Sequence, residues 1–304
     1  MQTAEHPLVG AIEAGGTKII CSVGRDWKEI RDGPKFVIPT KSPRETMSKI
    51  LDWFELCGRE QRLGAFGVAS FGPIDFATMT IASTTPKVAW RGASWRKAIE
   101  ATFGHLPIGF DTDTNASALA EWRWGAAVGR SVVVYVTVGT GIGGGLLVEG
   151  SPVHGLLHPE FGHMFVPRQA GDRFAGTCPV HGDCLEGLAS GPAVAKRWNR
   201  PSARLPSSHR AWELESEYLA LAMVNIITTI SPEVIVLGGG VMSVAGLLDK
   251  VRVKTVHLLA GYIPKDELGA RIEDYLVVPG LGGASGVIGA FSLGLTALHE
   301  KAKS

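Results

Sequence analysis

Cys178-Pro179-Val180-His181-Gly182-Asp183-Cys184 sets three soft metal ligands at spacings of three, and His163 stands fifteen residues upstream. Two thiolates and two imidazoles would satisfy a closed tetrahedral zinc site; a pair of free thiols with surface histidines is the other reading. The stretch from His163 to Cys178 has little periodic structure, so the expected role of the metal is to order a segment that buries too little to order itself. A Cys178–Cys184 disulfide is disfavoured in a reducing compartment. The same segment carries Glu160 and Glu186, which a metal-tied loop would aim as paired acceptors for a hydroxyl-rich ligand; a solvated charge is the other reading of each.

Glycine turns form a second constellation. Gly15-Gly16-Thr17-Lys18 offers bare backbone N–H groups, a hydroxyl and a cation, and Gly139-Thr140-Gly141-Ile142-Gly143-Gly144 offers further N–H groups. Without a Cβ the backbone approaches an anion closely, and two such turns facing each other would hold a polyphosphate. Glu13, just before the first turn, is placed to orient a Mg²⁺-bound water. A plain hairpin is the alternative for either turn alone. No G-x-x-x-x-G-K-[ST] occurs, and a strand-like Gly145-Leu146-Leu147-Val148-Glu149 follows the second turn where a dinucleotide fingerprint needs a helix. Gly238-Gly239-Gly240 ends the strand Val234-Ile235-Val236-Leu237 and is read as preceding an apolar helix. It suits either a flat ring lying on bare backbone or close helix–strand packing.

Asp111-Thr112-Asp113-Thr114-Asn115 lies at a strand-to-helix junction, where ligands of α/β folds collect. Phosphoryl transfer to an alcohol needs a group that accepts the hydroxyl proton, and a carboxylate kept ionised by the helix N-terminus serves. The same residue types are also ordinary helix caps.

The elements that must position these groups follow from periodicity. Strands are expected at Leu8–Ala14, Thr17–Val23, Ala65–Ala69, Pro107–Phe110, Ser131–Val138, Leu146–Glu149 and Glu233–Leu237, and helices at Ser42–Cys57, about Asn115–Val128, 189–199, 211–230 and Ala284–Lys301. The strand–glycine turn–strand unit occurs twice, at 8–24 and 131–149, which predicts a duplicated α/β fold with a cleft between halves. The boundary falls near Asp111–Asp113, giving a first domain of 1–112 plus 285–304 and a second of 113–284 that holds the zinc loop.

Composition agrees. The 304 residues are 45% hydrophobic and 19% charged, enough apolar material for about two cores. A formal net charge of +1 argues against a nucleic-acid partner. No run of 18 apolar residues is present and the acidic start lacks a secretory pattern, so no membrane partner and a cytoplasmic location are expected. Four cysteines are too few for a disulfide framework.

Taken together, these segments resemble the ROK family of sugar kinases, within the actin-like ATPase superfamily, over nearly the whole chain. Glu13-Ala14-Gly15-Gly16-Thr17-Lys18 is similar to the family's first phosphate motif, with Glu where Asp is usual; Gly139–Gly144 is similar to the second and Gly238–Gly240 to the adenosine motif. Glu160-Phe161-Gly162-His163 matches E-x-G-H, and the C-x-x-H-x-x-C form with His158-Pro159-Glu160 is similar to bacterial fructokinases. The resemblance implies a two-domain actin-like ATPase (ribonuclease H-like) fold with an interdomain cleft. It implies Asp113 as general base, and ATP held by Gly15, Gly16, Thr17, Lys18, Thr140, Gly141, Gly238, Gly239 and Gly240. Sugar would meet Asp113, Glu160, His163 and Glu186, and structural Zn²⁺ would take His163, Cys178, His181 and Cys184. Thr112 replaces the usual Asn before the catalytic Asp, altering one sugar contact of glucose-type members. The expected activity is MgATP-dependent phosphorylation of a free hexose, fructose before glucose or mannose, by a homodimer. A sugar-sensing repressor would carry a helix-turn-helix ahead of the first strand, and a non-catalytic sugar binder would not need Asp113 with both phosphate turns.

Overall fold

The computed structural model describes residues 7–59, 61–264 and 268–303. The chain divides into two compact units, Met1–Ala120 with Ala284–Ser304, and Glu121–Gly283.

In the first unit, β1 (Leu8–Ala14) and β2 (Lys18–Gly24) pair antiparallel around Gly15-Gly16-Thr17, with Ala14 opposite Ile19. Helix α1 (Trp27–Asp32), β3 (Lys35–Pro39), α2 (Pro43–Cys57) and β4 (Leu63–Ser70) follow, then a ribbon of β5 (Ile74–Asp75) and β6 (Thr80–Ile81), α3 (Trp95–Phe103), β7 (Ile108–Thr112) and α4 (Asp113–Trp124). The sheet order is β3-β2-β1-β4-β7, antiparallel through the hairpin strands and parallel from β1 to β7. Helix α2 buries Met47, Ile50, Leu51 and Phe54 at helical spacing, and the Phe54 ring meets Phe66 edge-on at 5.1 Å. The last helix, Ser285–Lys301, lies so close to β4 that a Cβ on Gly67 would sit 1.7 Å from the Ala290 carbonyl oxygen, so only glycine fits there.

The helix expected from Asn115 starts two residues earlier. Thr112 Oγ1 accepts the Asn115 N–H at 3.0 Å and caps the helix, which puts Asp113 in its first turn. It also stops short of Val128: the Glu121 carboxylate accepts from the N–H groups of Ala126, Gly280 and Leu281.

In the second unit, β8 (Val132–Val138), β9 (Ile142–Val148) and β10 (Ser151–Pro152) form an antiparallel run. Helices α5 (Leu185–Ala189), α6 (Gly191–Trp198) and α7 (Ala211–Ile230), then β11 (Val234–Gly238), α8 (Leu247–Leu259), α9 (Ile272–Tyr275) and β12 (Leu276–Val277), complete it. The order β10-β9-β8-β11-β12, with β11 parallel to β8 and β12, repeats the first sheet's pattern of an antiparallel hairpin joined to parallel strands. The apolar β8 and β11 bury Val134, Val136, Ile235 and Leu237 against Tyr218, Met223 and Ile226 of α7. Helix α10 is the returning Ser285–Lys301.

Three expectations change here. The strand expected from Leu146 begins at Ile142, so Gly143, Gly144 and Gly145 are strand residues; a Cβ on Gly144 would lie 2.0 Å from the Phe161 ring, and the bare strand is the seat of that ring. The helix expected over 189–199 is shorter, because Ser190 caps a new start by accepting the Ala193 N–H and Asn199, at φ 51°, ends it. Gly238–Gly240 does not lead directly into a helix; α8 starts only at Leu247. Among the described residues no helix is long and apolar enough to cross a membrane.

Candidate functional site

The sequence-predicted residues fall on both units. Gly15, Gly16, Thr17, Lys18 and Asp113 lie in the first, with Glu13 beside them; Thr140, Gly141, Glu160, His163, Cys178, His181, Cys184, Glu186 and Gly238–Gly240 lie in the second.

The first turn is held by its own backbone. The Gly15 N–H donates to the Lys18 carbonyl at 3.1 Å, Thr40 donates from its N–H to the Thr17 carbonyl at 2.9 Å, and Thr40 Oγ1 donates to the Gly15 carbonyl at 2.8 Å. Thr17 and Lys18 are exposed. Glu13 keeps some residue surface open, yet its Oε2 is closed to solvent and, among the described residues, has no hydrogen-bond partner. Burial pushes the Glu13 carboxyl up to about 7, the Asp113 charge adds to this, and Lys18 and the Val287 N–H oppose it. An unpaired, desolvated oxygen of this kind fits the water shell of a hard cation.

Asp113 sits at the end of β7 in the first turn of α4, half-buried. Its neighbours set its seat: Asp111 Oδ1 accepts from the Thr112 N–H at 2.7 Å and from Asn115 Nδ2 at 2.8 Å, and the two threonine hydroxyls flanking Asp113 lie 3.2 Å apart. The helix N-terminus does not keep this carboxyl in its ordinary range. Burial raises it from 3.8 to about 6, and the N–H groups of Thr114 and Asp113 offset only part of that. A carboxylate ionised at neutral pH but still basic is suited to accept a proton. The Asp111–Thr112–Asn115 bonds are a role that the residue types alone left open between cap and base: Thr112 is the cap, and Asp113 is released from capping.

In the second unit the four expected metal ligands come together. One donor atom from each of His163, Cys178, His181 and Cys184 lies within 4.8 Å of the others. Cys178 Sγ is 3.7 Å from His163 Nδ1 and 3.8 Å from His181 Nδ1, and Cys184 Sγ is 3.6 Å from His163 Nδ1. Zinc–sulfur and zinc–nitrogen bonds of ordinary length meeting at the tetrahedral angle give an edge of about 3.5 Å. The donor set and its spacing therefore fit zinc. Burial pushes the Cys184 thiol up to about 11, with Cys178 and Glu186 adding to the shift; a bound dication reverses that preference. With Nδ1 among the ligands, Nε2 is the remaining polar atom of His163.

The Cys/His cluster, the second glycine turn and Glu186 form one assembly. Cys184 precedes α5 and Glu186 stands in its first turn. Glu186 Oε2 accepts the Ile142 N–H at 2.9 Å, and a Cβ on Gly141 would come within 2.6 Å of that oxygen. The Gly139 carbonyl accepts the Gly191 N–H at 2.8 Å, which ties the turn to α6 as well. Glu160 begins the short turn Phe161–His163 and its Oε1 lies 3.4 Å from Nδ1 of buried His158. Glu160, His163 and Glu186 thus all stand on the segment that carries the Cys/His cluster, while Thr140 is exposed at the turn.

The three glycines after β11 differ. A Cβ on Gly238 would strike the Tyr135 hydroxyl at 2.4 Å, and Gly239, at φ 92°, would strike the Val138 backbone at 2.3 Å. Among the described residues, apart from its chain neighbours, a Cβ on Gly240 would meet nothing within 4 Å. Packing accounts for the first two; Gly240 is bare, exposed backbone.

The ROK family profile matches residues 9–297. A fructokinase of Zymomonas mobilis subsp. mobilis is 41% identical over 97% of this chain and 99% of its own length. A fructokinase of Pediococcus pentosaceus is 37% identical over 96% of this chain and 99% of its own. The crystal structure of a ROK hexokinase from Thermus thermophilus superposes with a TM-score of 0.73 at 27% identity, covering 96% of this chain and 99% of that one.

Proposed function

The chain belongs to the ROK family, with the two-unit α/β fold of actin-like ATPases, and on that footing we propose that it transfers the terminal phosphoryl group of ATP to the 6-hydroxyl of free fructose. One observation carries the catalytic part: a half-buried aspartate whose carboxyl burial lifts to about 6 stands at a helix start, its flanking residues capped and bonded so that its own oxygens are not consumed by the cap. The choice of fructose rests on relatives named fructokinase that align along nearly their full length.

In this reading Asp113 accepts the proton of the attacking hydroxyl as the new P–O bond forms. Glu160 and Glu186 hold the sugar through carboxylate acceptors, and His163 through its Nε2–H donor. Gly15, Gly16, Thr17 and Lys18, with Thr140 and Gly141, hold the phosphate tail through backbone N–H groups, hydroxyls and the Lys18 ammonium, and Gly238–Gly240 borders the adenosine, with the bare Gly240 free to meet a flat ring. Glu13 would hold the water shell of Mg²⁺, which neutralises charge on the phosphate tail. His163, Cys178, His181 and Cys184 would hold a structural zinc that fixes the sugar carboxylates in place. The chain acts in the cytoplasm, where ATP and free hexoses meet, as a homodimer.

The test is an ADP-coupled assay over a panel of free hexoses with MgATP. Fructose is expected to give a kcat/KM at least about 10-fold above glucose and mannose, the discrimination that one changed hydroxyl contact supplies. A clear preference for glucose would overturn the substrate assignment.

A further inference from the structure

A second ammonium stands beside the first phosphate turn, on a segment that none of the expected motifs includes. Lys87 lies in the connection Thr85-Pro86-Lys87, ahead of the short turn Val88–Trp90. Among the described residues, apart from Gly16's own chain neighbours, the place where a Gly16 Cβ would stand has one atom within 4 Å, Lys87 Cε at 3.5 Å. The Lys87 ammonium sits 5.7 Å from the centroid of the Phe71 ring. Phe71 itself is bonded to the end of β1, its N–H donating to the Ala14 carbonyl at 2.8 Å.

The segment is fastened on both sides of the lysine. Buried Thr85 donates from Oγ1 to the Gly72 carbonyl at 3.1 Å, and buried Trp90 donates from Nε1 to the Lys41 carbonyl at 2.7 Å. Lys41 follows Thr40, the residue that brackets the Gly15–Thr17 turn. The Lys87 N–H and carbonyl are also engaged, with Thr85 Oγ1 and the Trp90 N–H. What is left over is the ammonium. Among the described residues no carboxylate pairs with it and no acceptor takes its protons, although the side chain is half-buried. A cation partly withdrawn from water, held by its stem and given no counter-charge, is poised for an anion from outside the chain. The bare Gly16 backbone and exposed Lys18 at the same turn define that anion as a phosphate group.

We propose that Lys87 is a further catalytic residue: its ammonium donates to the non-bridging oxygens of the γ-phosphoryl group in transfer. This rests on the kinase reading above. In the step, the bond between the γ-phosphorus and the β,γ-bridging oxygen breaks and its electron pair leaves with ADP. The sugar hydroxyl oxygen forms the new bond to phosphorus, and its proton passes to Asp113. Lys87 neither gains nor loses a proton; it meets charge that grows on the transferring group.

The test compares the wild type with Lys87→Met, which keeps an apolar side chain of similar length and removes the ammonium, and with Lys87→Arg. Turnover with fructose and MgATP, the fructose KM, thermal stability, and calorimetric affinities for ADP and for AMPPNP are measured on the full chain. Lys87→Met should lower kcat about 100-fold with fructose KM and melting temperature unchanged. It should weaken AMPPNP while leaving ADP as it was, and Lys87→Arg should recover part of the loss. Equal weakening of both nucleotides, or a Lys87→Met kcat near that of the wild type, overturns the role of Lys87. A wild type that binds both nucleotides but phosphorylates no hexose sinks the kinase reading alone, since the AMPPNP-against-ADP comparison still decides what Lys87 touches. A wild type that binds neither nucleotide overturns both.

Discussion

Asp113→Asn should lower kcat with fructose by about 10³-fold or more, within the range that a positioned base contributes, while fructose still binds. The amide has nearly the shape of the carboxylate, and Thr112 rather than Asp113 caps the helix, so the substitution removes a proton acceptor without removing a cap. Its effect on stability has the opposite sign. The folded chain holds the Asp113 proton more tightly than the unfolded chain, because burial lifts the group from 3.8 to about 6. Stability from this group is therefore fully present below the unfolded value and is lost as pH rises through about 6. At neutral pH the ionised carboxylate costs the fold about 1–2 kcal/mol once its partial exposure is allowed for. Asp113→Asn removes that cost, so the variant should melt a few degrees higher than the wild type. In the wild type, kcat/KM should climb with pH through about 6 and level off above it. A variant that is more stable, binds sugar and does not turn over separates chemistry from folding; one that turns over normally excludes Asp113 as the base.

Removing the metal should have the second large effect. Cys184 is buried and leads into α5, and Glu186 in the first turn of α5 holds the Ile142 N–H of the second glycine turn. His163 closes the short turn that begins at Glu160. With no metal, two buried thiols and two imidazoles replace a cross-link that joins these segments, and the stretch between them has few buried side chains to keep it ordered. Strong chelation, or Cys184→Ser, should cost on the order of 5 kcal/mol. The fructose KM should rise at the same time, because Glu160, His163 and Glu186 lose their common anchor. Elemental analysis should find about one zinc per chain. A metal-free preparation with full activity and unchanged melting temperature would remove the metal from the account.

Much of this arrangement is legible in the residues. The two hairpins announce themselves because β-branched runs meet glycine turns, and β1–β2 and β8–β9 form where those patterns lie. The Cys/His spacing is enough to gather four ligands, since three of them are local. Other features depend on partners far along the chain. Glu186 reaches Ile142 across 44 residues, and Gly144 is bare because Phe161 packs on it, so neither contact leaves a periodic trace. The ribbon of β5 and β6 is too weakly patterned to stand out, and the apolar helix expected after Gly240 is α8, which begins only at Leu247. Helix α1 did carry a signal: Asp26 accepts the Lys28 and Glu29 N–H groups while Glu29 Oε2 accepts the Arg25 N–H, a cap written in the local sequence. The raised pKa of Asp113 runs against the helix-dipole expectation, because burial is set by packing around the junction rather than by the residues at it. Lys87 carries no motif: a lone lysine acquires meaning only with Gly16 and Phe71 beside it.

The central claim is that phosphate leaves ATP for a sugar hydroxyl and not for water. Phosphorus NMR of a reaction containing the chain, MgATP and fructose tests it directly. The account predicts that ATP is consumed only when fructose is present, with ADP and fructose 6-phosphate appearing in equal amounts and no inorganic phosphate. ATP consumption that yields inorganic phosphate irrespective of sugar, or no consumption with any hexose, would contradict it.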